Sequence, residues 1–241
     1  MALRRWLACS DLHGDKQDKR AVSLLMQHVA EFKPQHRIFC GDIWDFRPWR
    51  RGANATEQKE YVTEDFNAGM DFLRDFKPTV ITLGNHDQRL WDVKLAEGPM
   101  SEFCRKLIKE FKELTDELGC VVLPYDKRRV YHLGHLGFVH GFFAGPNAAR
   151  QMAQAFGGCI FGHGHAIDVA TTAAEKPRAA RMIGCLCRLD FQYNRAHVTA
   201  LRQRHGWAYG YSFPNGNYQA FQAEVIAGKA VVADGVKVLE A

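Results

Sequence analysis

Five times along the chain a short apolar run stops at a small cluster of His, Asp or Asn, most often beside glycine. Residues 6–9 lead into Ser10-Asp11-Leu12-His13, and residues 37–40 into Gly41-Asp42-Ile43-Trp44-Asp45. Residues 80–83 lead into Gly84-Asn85-His86-Asp87, residues 136–139 into His140-Gly141, and residues 159–161 into Gly162-His163-Gly164-His165. An apolar β-type run that ends on polar groups predicts a strand whose carboxyl end opens onto a ligand, the layout of an α/β active site.

The stretches between these runs carry apolar residues at helical spacing. Val22, Leu25, Met26, Val29 and Phe32 predict a first helix stopped at Pro34. Val62, Phe66, Met70, Leu73 and Phe76 predict a second, stopped at Pro78. Phe103, Leu107, Phe111, Leu114 and Leu118 predict a third, closed by Gly119, and a fourth is expected over about 146–156. After Val121 short β-type runs dominate, and Asn215-Gly216 and Asp234-Gly235 are hairpin signals. The sum is an α/β chain of two sheets packed face to face with helices outside. We expect one domain over 1–241, with the motifs in 9–168 and a β-rich extension over about 169–241.

Composition bounds the setting. Hydrophobic residues make up 46% and charged residues 24%, which are ordinary globular values. No run approaches eighteen apolar residues, so no membrane span is expected. The first ten residues lack the apolar core of a secretory signal, and the seven cysteines contain no Cys-x-x-Cys pair. Reduced, buried cysteines in a cytoplasmic protein are therefore expected. Cys185 and Cys187 would share a face if they lay on a strand.

The residue types within the motifs suit divalent cations. Two such ions about 3.5–4 Å apart need oxygen and imidazole donors and one carboxylate between them. Asp-x-His and His-x-His present two donors to one side of an extended segment. Ligation by nitrogen and oxygen without thiolate favours Mn or Fe, with Zn or Ni as further candidates.

Taken together, the five motifs resemble the calcineurin-like metallophosphoesterase superfamily over about residues 6–168. The resemblance implies a four-layer αββα sandwich of two mixed sheets flanked by helices. It implies that Asp11, His13 and His165 bind one metal ion, that Asn85, His140 and His163 bind a second, and that Asp42 bridges them. A metal-bridging hydroxide would then attack phosphorus. His86 would stabilise the transition state or protonate the leaving oxygen, with Asp45 orienting it and Asp87 supporting from behind. Gly-Asn-His-Asp with Gly-His-x-His is closer to the nuclease and phosphodiesterase members than to the Ser/Thr protein phosphatases. The β-rich tail, with Tyr193-Asn194 and Gly206-Trp207, is similar to phage-type phosphoesterases.

The residues just after the second motif raise the question of substrate. Arg47, Trp49, Arg50 and Arg51, with Arg89 and Trp91, are expected on the rim, where Arg clamps phosphate and Trp stacks on a base. Phe142 and Phe143 are expected to pack. His28 and His36 are expected at the surface, and His132, His135, His197 and His205 in structural positions. The expected activity is hydrolysis of a phosphodiester, with nucleic acid or a nucleotide as the partner. The alternatives are a phosphomonoesterase or protein phosphatase of the same superfamily, or a catalytically silent metal-binding scaffold. Against the scaffold stands the intact set of Asp42, Asn85 and His86.

Overall fold

Side-chain alternation along the first strand sorts the molecule into layers. In β1 (Arg4–Cys9), Trp6 and Ala8 point to one side, and Leu7 and Cys9 to the other. Ile38 and Phe39 in β2 (His36–Phe39) divide the same way, as do Val80 and Ile81 in β3 (Val80–Thr82). All are buried, so these strands have helices on one face and a second sheet on the other. The computed structural model describes residues 3–95, 97–190, 198–232 and 237–240.

The helices that cover the Leu7 face are α1 (Lys19–Phe32), α2 (Val62–Phe76) and α4 (Pro99–Glu117). Asp18 caps α1 by accepting the Ala21 N–H at 2.8 Å. Both α1 and α2 end at a left-handed lysine, Lys33 and Lys77, directly before a proline that cannot continue the helix. A short helix that the periodicity did not signal, α3 (Gln88–Lys94), follows the Gly-Asn-His-Asp motif. It is too short for an apolar stripe, and Leu90 is its one fully buried residue.

The first sheet runs β13-β12-β11-β10-β1-β2-β3-β4. Its remaining strands are β4 (Val121–Leu123), β10 (Gly206–Ser212), β11 (Tyr218–Ile226), β12 (Lys229–Val232) and β13 (Lys237–Glu240). β1, β2, β3 and β4 are parallel neighbours, and β10 pairs antiparallel with β1, Leu7 opposite Tyr209. The second sheet runs β5-β6-β7-β9-β8, with β5 (Tyr131–Leu133), β6 (Leu136–Val139), β7 (Cys159–Phe161), β8 (Ile167–Thr171) and β9 (Ala179–Ile183). α5 (Ala148–Phe156) covers its outer face through Ala149, Met152 and Ala153. Helix, sheet, sheet and helix make the four layers that the motifs implied.

The C-terminal β-rich stretch is divided between the sheets. β8 and β9 complete the second sheet, whereas β10 lies against the central β1. Asn215-Gly216 sits in the β10–β11 hairpin as expected. Asp234-Gly235 lies outside the described residues, between two strands that pair antiparallel. Tyr193-Asn194 and His197 also lie outside them.

Trp6 meets Phe138 edge-on at 5.3 Å in the inter-sheet layer. Removing a ring from such a core costs roughly 3–5 kcal/mol. His28 corrects the surface expectation: it is buried on α1 and accepts a hydrogen bond from Trp207 Nε1 at 2.8 Å. Its polarity placed it on the exposed side of the first helix, and the indole from β10 supplies the partner that lets an imidazole enter the core.

Candidate active site

The carboxyl ends of β1, β2, β3, β6 and β7 bring all five motifs together at one edge of the two sheets. The backbone turns sharply there. Asp11, His13, Asp42, His163 and His165 all take left-handed φ values, between 54° and 68°. Non-glycine residues rarely do so, and such strain concentrates where a side chain must be aimed. Two glycines make the close approach feasible. A Cβ on Gly84 would collide with the Asp42 carboxylate, and one on Gly162 with Asp11 and Ser10.

Two groups of donor atoms result. In the first, His13 Nε2 lies 3.1 Å from His165 Nε2, and His165 Nε2 lies 3.3 Å from Asp11 Oδ1. In the second, Asn85 Oδ1 lies 3.0 Å from His140 Nε2 and 2.9 Å from His163 Nδ1, and Asp42 Oδ2 lies 3.2 Å from His140 Nε2. Asp42 also falls within reach of Asp11 and His13, so it belongs to both groups. His140 Nδ1 donates to the Cys40 carbonyl at 2.8 Å, which turns Nε2 toward the group. Facing nitrogens and oxygens at these distances repel unless a proton or a cation sits among them. The donor set therefore fits divalent cations, two imidazoles and shared carboxylate oxygen at each position.

Titration follows from the same contacts. Burial lowers the His140 imidazole, but the Asp42 carboxylate outweighs it and raises the group to about 9. Burial likewise opposes protonation of His165, and Cys185 and Asp11 raise it to about 10. His163 is pulled down to about 4 by burial and by His140. Asp42 and Asp11 stay below the usual carboxylate range despite burial, through His140 and His165 respectively.

His86 sits beside the second group. Its Nδ1 donates to Asp45 Oδ1 at 2.7 Å, its backbone N–H donates to Asp42 Oδ1 at 2.9 Å, and its Nε2 lies 3.8 Å from Asp42 Oδ2. Asp45 is the hub of the rim. It also accepts from Arg89 Nη1 at 3.1 Å and from Arg47 Nη1 at 3.2 Å. Asp87 accepts the backbone N–H groups of Asp42, Ile43, Trp44 and Gly84 at 2.8–3.2 Å and ties the second and third motifs together. Those donors offset the burial and the Asp42 charge that raise its carboxyl to about 7.

A cavity of about 290 Å³ opens over these groups, lined by Asp42, Asp45, His86, His163 and His165 and edged by Arg47, Arg50, Arg89 and Gln203. The rim departs from expectation at several positions. Arg47 reaches the cavity wall but is buried, and its guanidinium bonds Asp15 at 2.7 Å, Asp45 and Glu60. Three carboxylates occupy its fork, so it positions Asp45 and has no edge left to clamp a phosphate. Trp49 packs on Phe46 at 5.0 Å, and Trp91 on Phe111 at 6.1 Å, both against the helix-side core. Arg51 is exposed and does not line the cavity. Phe142 stacks between Tyr125 and Phe156, as a packing residue does.

Several contributors were not anticipated. Asp65 accepts the N–H groups of Asp45, at 3.1 Å, and Phe46, at 2.5 Å. Its signal was present in the sequence: it is a carboxylate on the apolar stripe of α2, three residues after Val62. Gln203 comes from far along the chain, Nε2 lying 3.5 Å from His165 Nδ1, and carried no signal.

The family model of calcineurin-like phosphoesterases matches residues 4–166. The chain belongs to that family. Among solved structures, vacuolar protein sorting 29 from Cryptosporidium parvum is 15% identical with a TM-score of 0.53, 99% of each chain being covered. YfcE, a phosphoesterase from E. coli, is 14% identical with a TM-score of 0.43, covering 90% of this chain and 97% of its own. The first of these likenesses is one of fold. No curated protein matches the sequence. Groups whose donor atoms lie close enough to hold a metal ion include Asp42 with His140 and His163, and Asp11 with His13 and Asp42; no helix among the described residues is long and apolar enough to cross a membrane.

Proposed function

We propose that this phosphoester hydrolase acts on phosphodiesters, using two divalent ions that share Asp42. The observation that carries the reading is Asp42 itself, which stands within ligand distance of Asp11 and His13 on one side and of His140 and His163 on the other. Asp11, His13 and His165 would hold one ion, and Asn85, His140 and His163 the other. Bound ions of this kind act as Lewis acids on a phosphoryl group and lower the pKa of water.

The chain's own groups do the rest. Asp42, Asp11 and the imidazoles would fix where the ions sit, and so where a phosphoryl group can dock. His86, fixed by Asp45 through Nδ1, presents Nε2 to the leaving oxygen; burial lowers its imidazole below the ordinary value, so it delivers a proton there only as the imidazolium. Arg89 and Arg47 hold Asp45 in place, so the dyad is rigid when the substrate arrives.

Charge balance favours a diester. Each arginine lining the cavity already bonds a carboxylate: Arg47 with Asp15, Asp45 and Glu60; Arg50 with Glu57; Arg89 with Asp45. Beyond the two ions, each of these arginines is already matched by a carboxylate, so none is left over for the second charge of a monoester. We take nucleic acid or a nucleotide as the substrate class, and Mn or Fe suits the nitrogen–oxygen donors. The test compares bis(p-nitrophenyl) phosphate with p-nitrophenyl phosphate in the presence of Mn²⁺. The account expects the larger kcat/KM on the diester; turnover of the monoester alone would overturn it.

A further inference from the structure

A sixth loop reaches the same edge of the sheets. β9 runs parallel to β7, so its carboxyl end opens beside Gly162-His163-Gly164-His165. Just past that end lies Cys185-Leu186-Cys187. The loop is sewn to the first motif: the Leu186 N–H donates to the Asp11 carbonyl at 3.1 Å, and the Asp18 N–H to the Leu186 carbonyl at 2.7 Å. The Cys187 carbonyl accepts His205 Nε2 at 2.8 Å, which fixes the peptide that carries the thiol.

The two thiols sit apart from the apolar cores. They are fully buried and form a contact cluster of their own. Cys187 Sγ lies 3.7 Å from His165 Nδ1. Donor atoms of Cys187, His13 and His165 all fall within 4.8 Å of one another, and all three residues are buried. The 3.7 Å separation of Cys187 Sγ and His165 Nδ1 suits two donors of one tetrahedral sphere, with a metal–sulfur bond near 2.3 Å and metal–nitrogen bonds near 2.0–2.1 Å.

We propose that Cys187 is a metal ligand, forming with His13 and His165 a thiolate-containing site for a thiophilic divalent ion of the zinc class. The inference rests on the reading of these loops as a metal centre and deepens it. The two positions then differ in softness. One holds Asp42, Asn85, His140 and His163, all nitrogen or oxygen donors; the other adds sulfur. Thiolate ligation selects zinc-class ions over manganese, so the centre is built for two unlike metals. Formation of the metal–sulfur bond releases the Cys187 proton to solvent. Cys187 meets His165 on its Nδ1 side and Asp11 meets it on its Nε2 side, so the sulfur-bound ion takes His165 through Nδ1, away from Asp11.

The test uses Co²⁺ as the probe on the metal-stripped full chain, read by absorption and by metal analysis. The expected result is bound Co²⁺ with a sulfur-to-cobalt charge-transfer band that is lost in Cys187→Ser and kept in Cys185→Ser. Competition between Zn²⁺ and Mn²⁺ should show the zinc preference falling at least about tenfold in Cys187→Ser. The wild-type spectrum decides even where Cys187→Ser fails to fold. Bound Co²⁺ without a charge-transfer band, or a band that survives Cys187→Ser, overturns the role of Cys187 and leaves the metal centre standing. No bound Co²⁺ overturns both.

Discussion

His163 Nδ1 and His140 Nε2 face each other at 3.2 Å, with Asn85 Oδ1 within 3.0 Å of each. Such an arrangement is held together by a proton or by a metal ion, and the two compete. In the metal-free protein His140 titrates at about 9 and His165 at about 10, so both are protonated at pH 7. Metal uptake at pH 7 should therefore release about two protons per chain from these imidazoles, and about one more from Cys187 where a metal–sulfur bond forms. Calorimetry in two buffers of different ionisation enthalpy measures that number, and zero release would contradict the assignment.

The same shifts give a pH dependence of stability without metal. Both imidazoles are raised above the ordinary value of 6.5. Their contribution is fully present below about pH 6.5 and is lost as pH rises through about 9 to 10. The melting temperature of metal-free protein should fall across that window, and that of metal-loaded protein should change much less.

His86 and Asp45 form the dyad that the mechanism depends on. His86→Ala should lower kcat by about 10²–10⁴, the usual worth of general acid catalysis, with metal content unchanged. Asp45→Asn should lower it less and should also loosen Arg47 and Arg89, which both bond that carboxylate. Unchanged turnover in His86→Ala would remove His86 from the reaction.

Arg47 is assigned here to architecture. Arg47→Ala leaves Asp45 and its neighbours without their buried counter-charge and should cost roughly 3–5 kcal/mol of stability. Urea unfolding measures it. A raised KM at unchanged stability would instead restore Arg47 to substrate binding.

Asp87 spans two motifs through backbone hydrogen bonds, and Asp87→Ala should unfasten both. A stability loss of roughly 2–4 kcal/mol is expected, with weakened metal binding, because buried N–H donors lose a charged acceptor. Gly162→Ala should abolish metal binding at the Asp11 position, where a Cβ has no room. Retention of full metal content in Gly162→Ala would contradict the packing described.

Much of this was legible in the sequence because each motif is local. A short apolar run followed by Asp-x-His needs only a few residues to be recognised, and Pro78 marks the end of α2. What escaped depends on residues distant in sequence. The burial of His28 requires Trp207, which lies 179 positions away. The commitment of Arg47 requires Asp15 and Glu60 from two other segments. Cys187 reads as a core thiol until β9 is placed parallel to β7. α3 escaped for the opposite reason, since seven residues are too few to display a period.

The central claim is a pair of ions on either side of Asp42. Anomalous scattering from crystals grown with Mn²⁺ and Zn²⁺ tests it directly. The account predicts two peaks about 3.5–4 Å apart, with Asp42 reaching both. A single peak, or two peaks of which one lies beyond reach of Asp42, would contradict it.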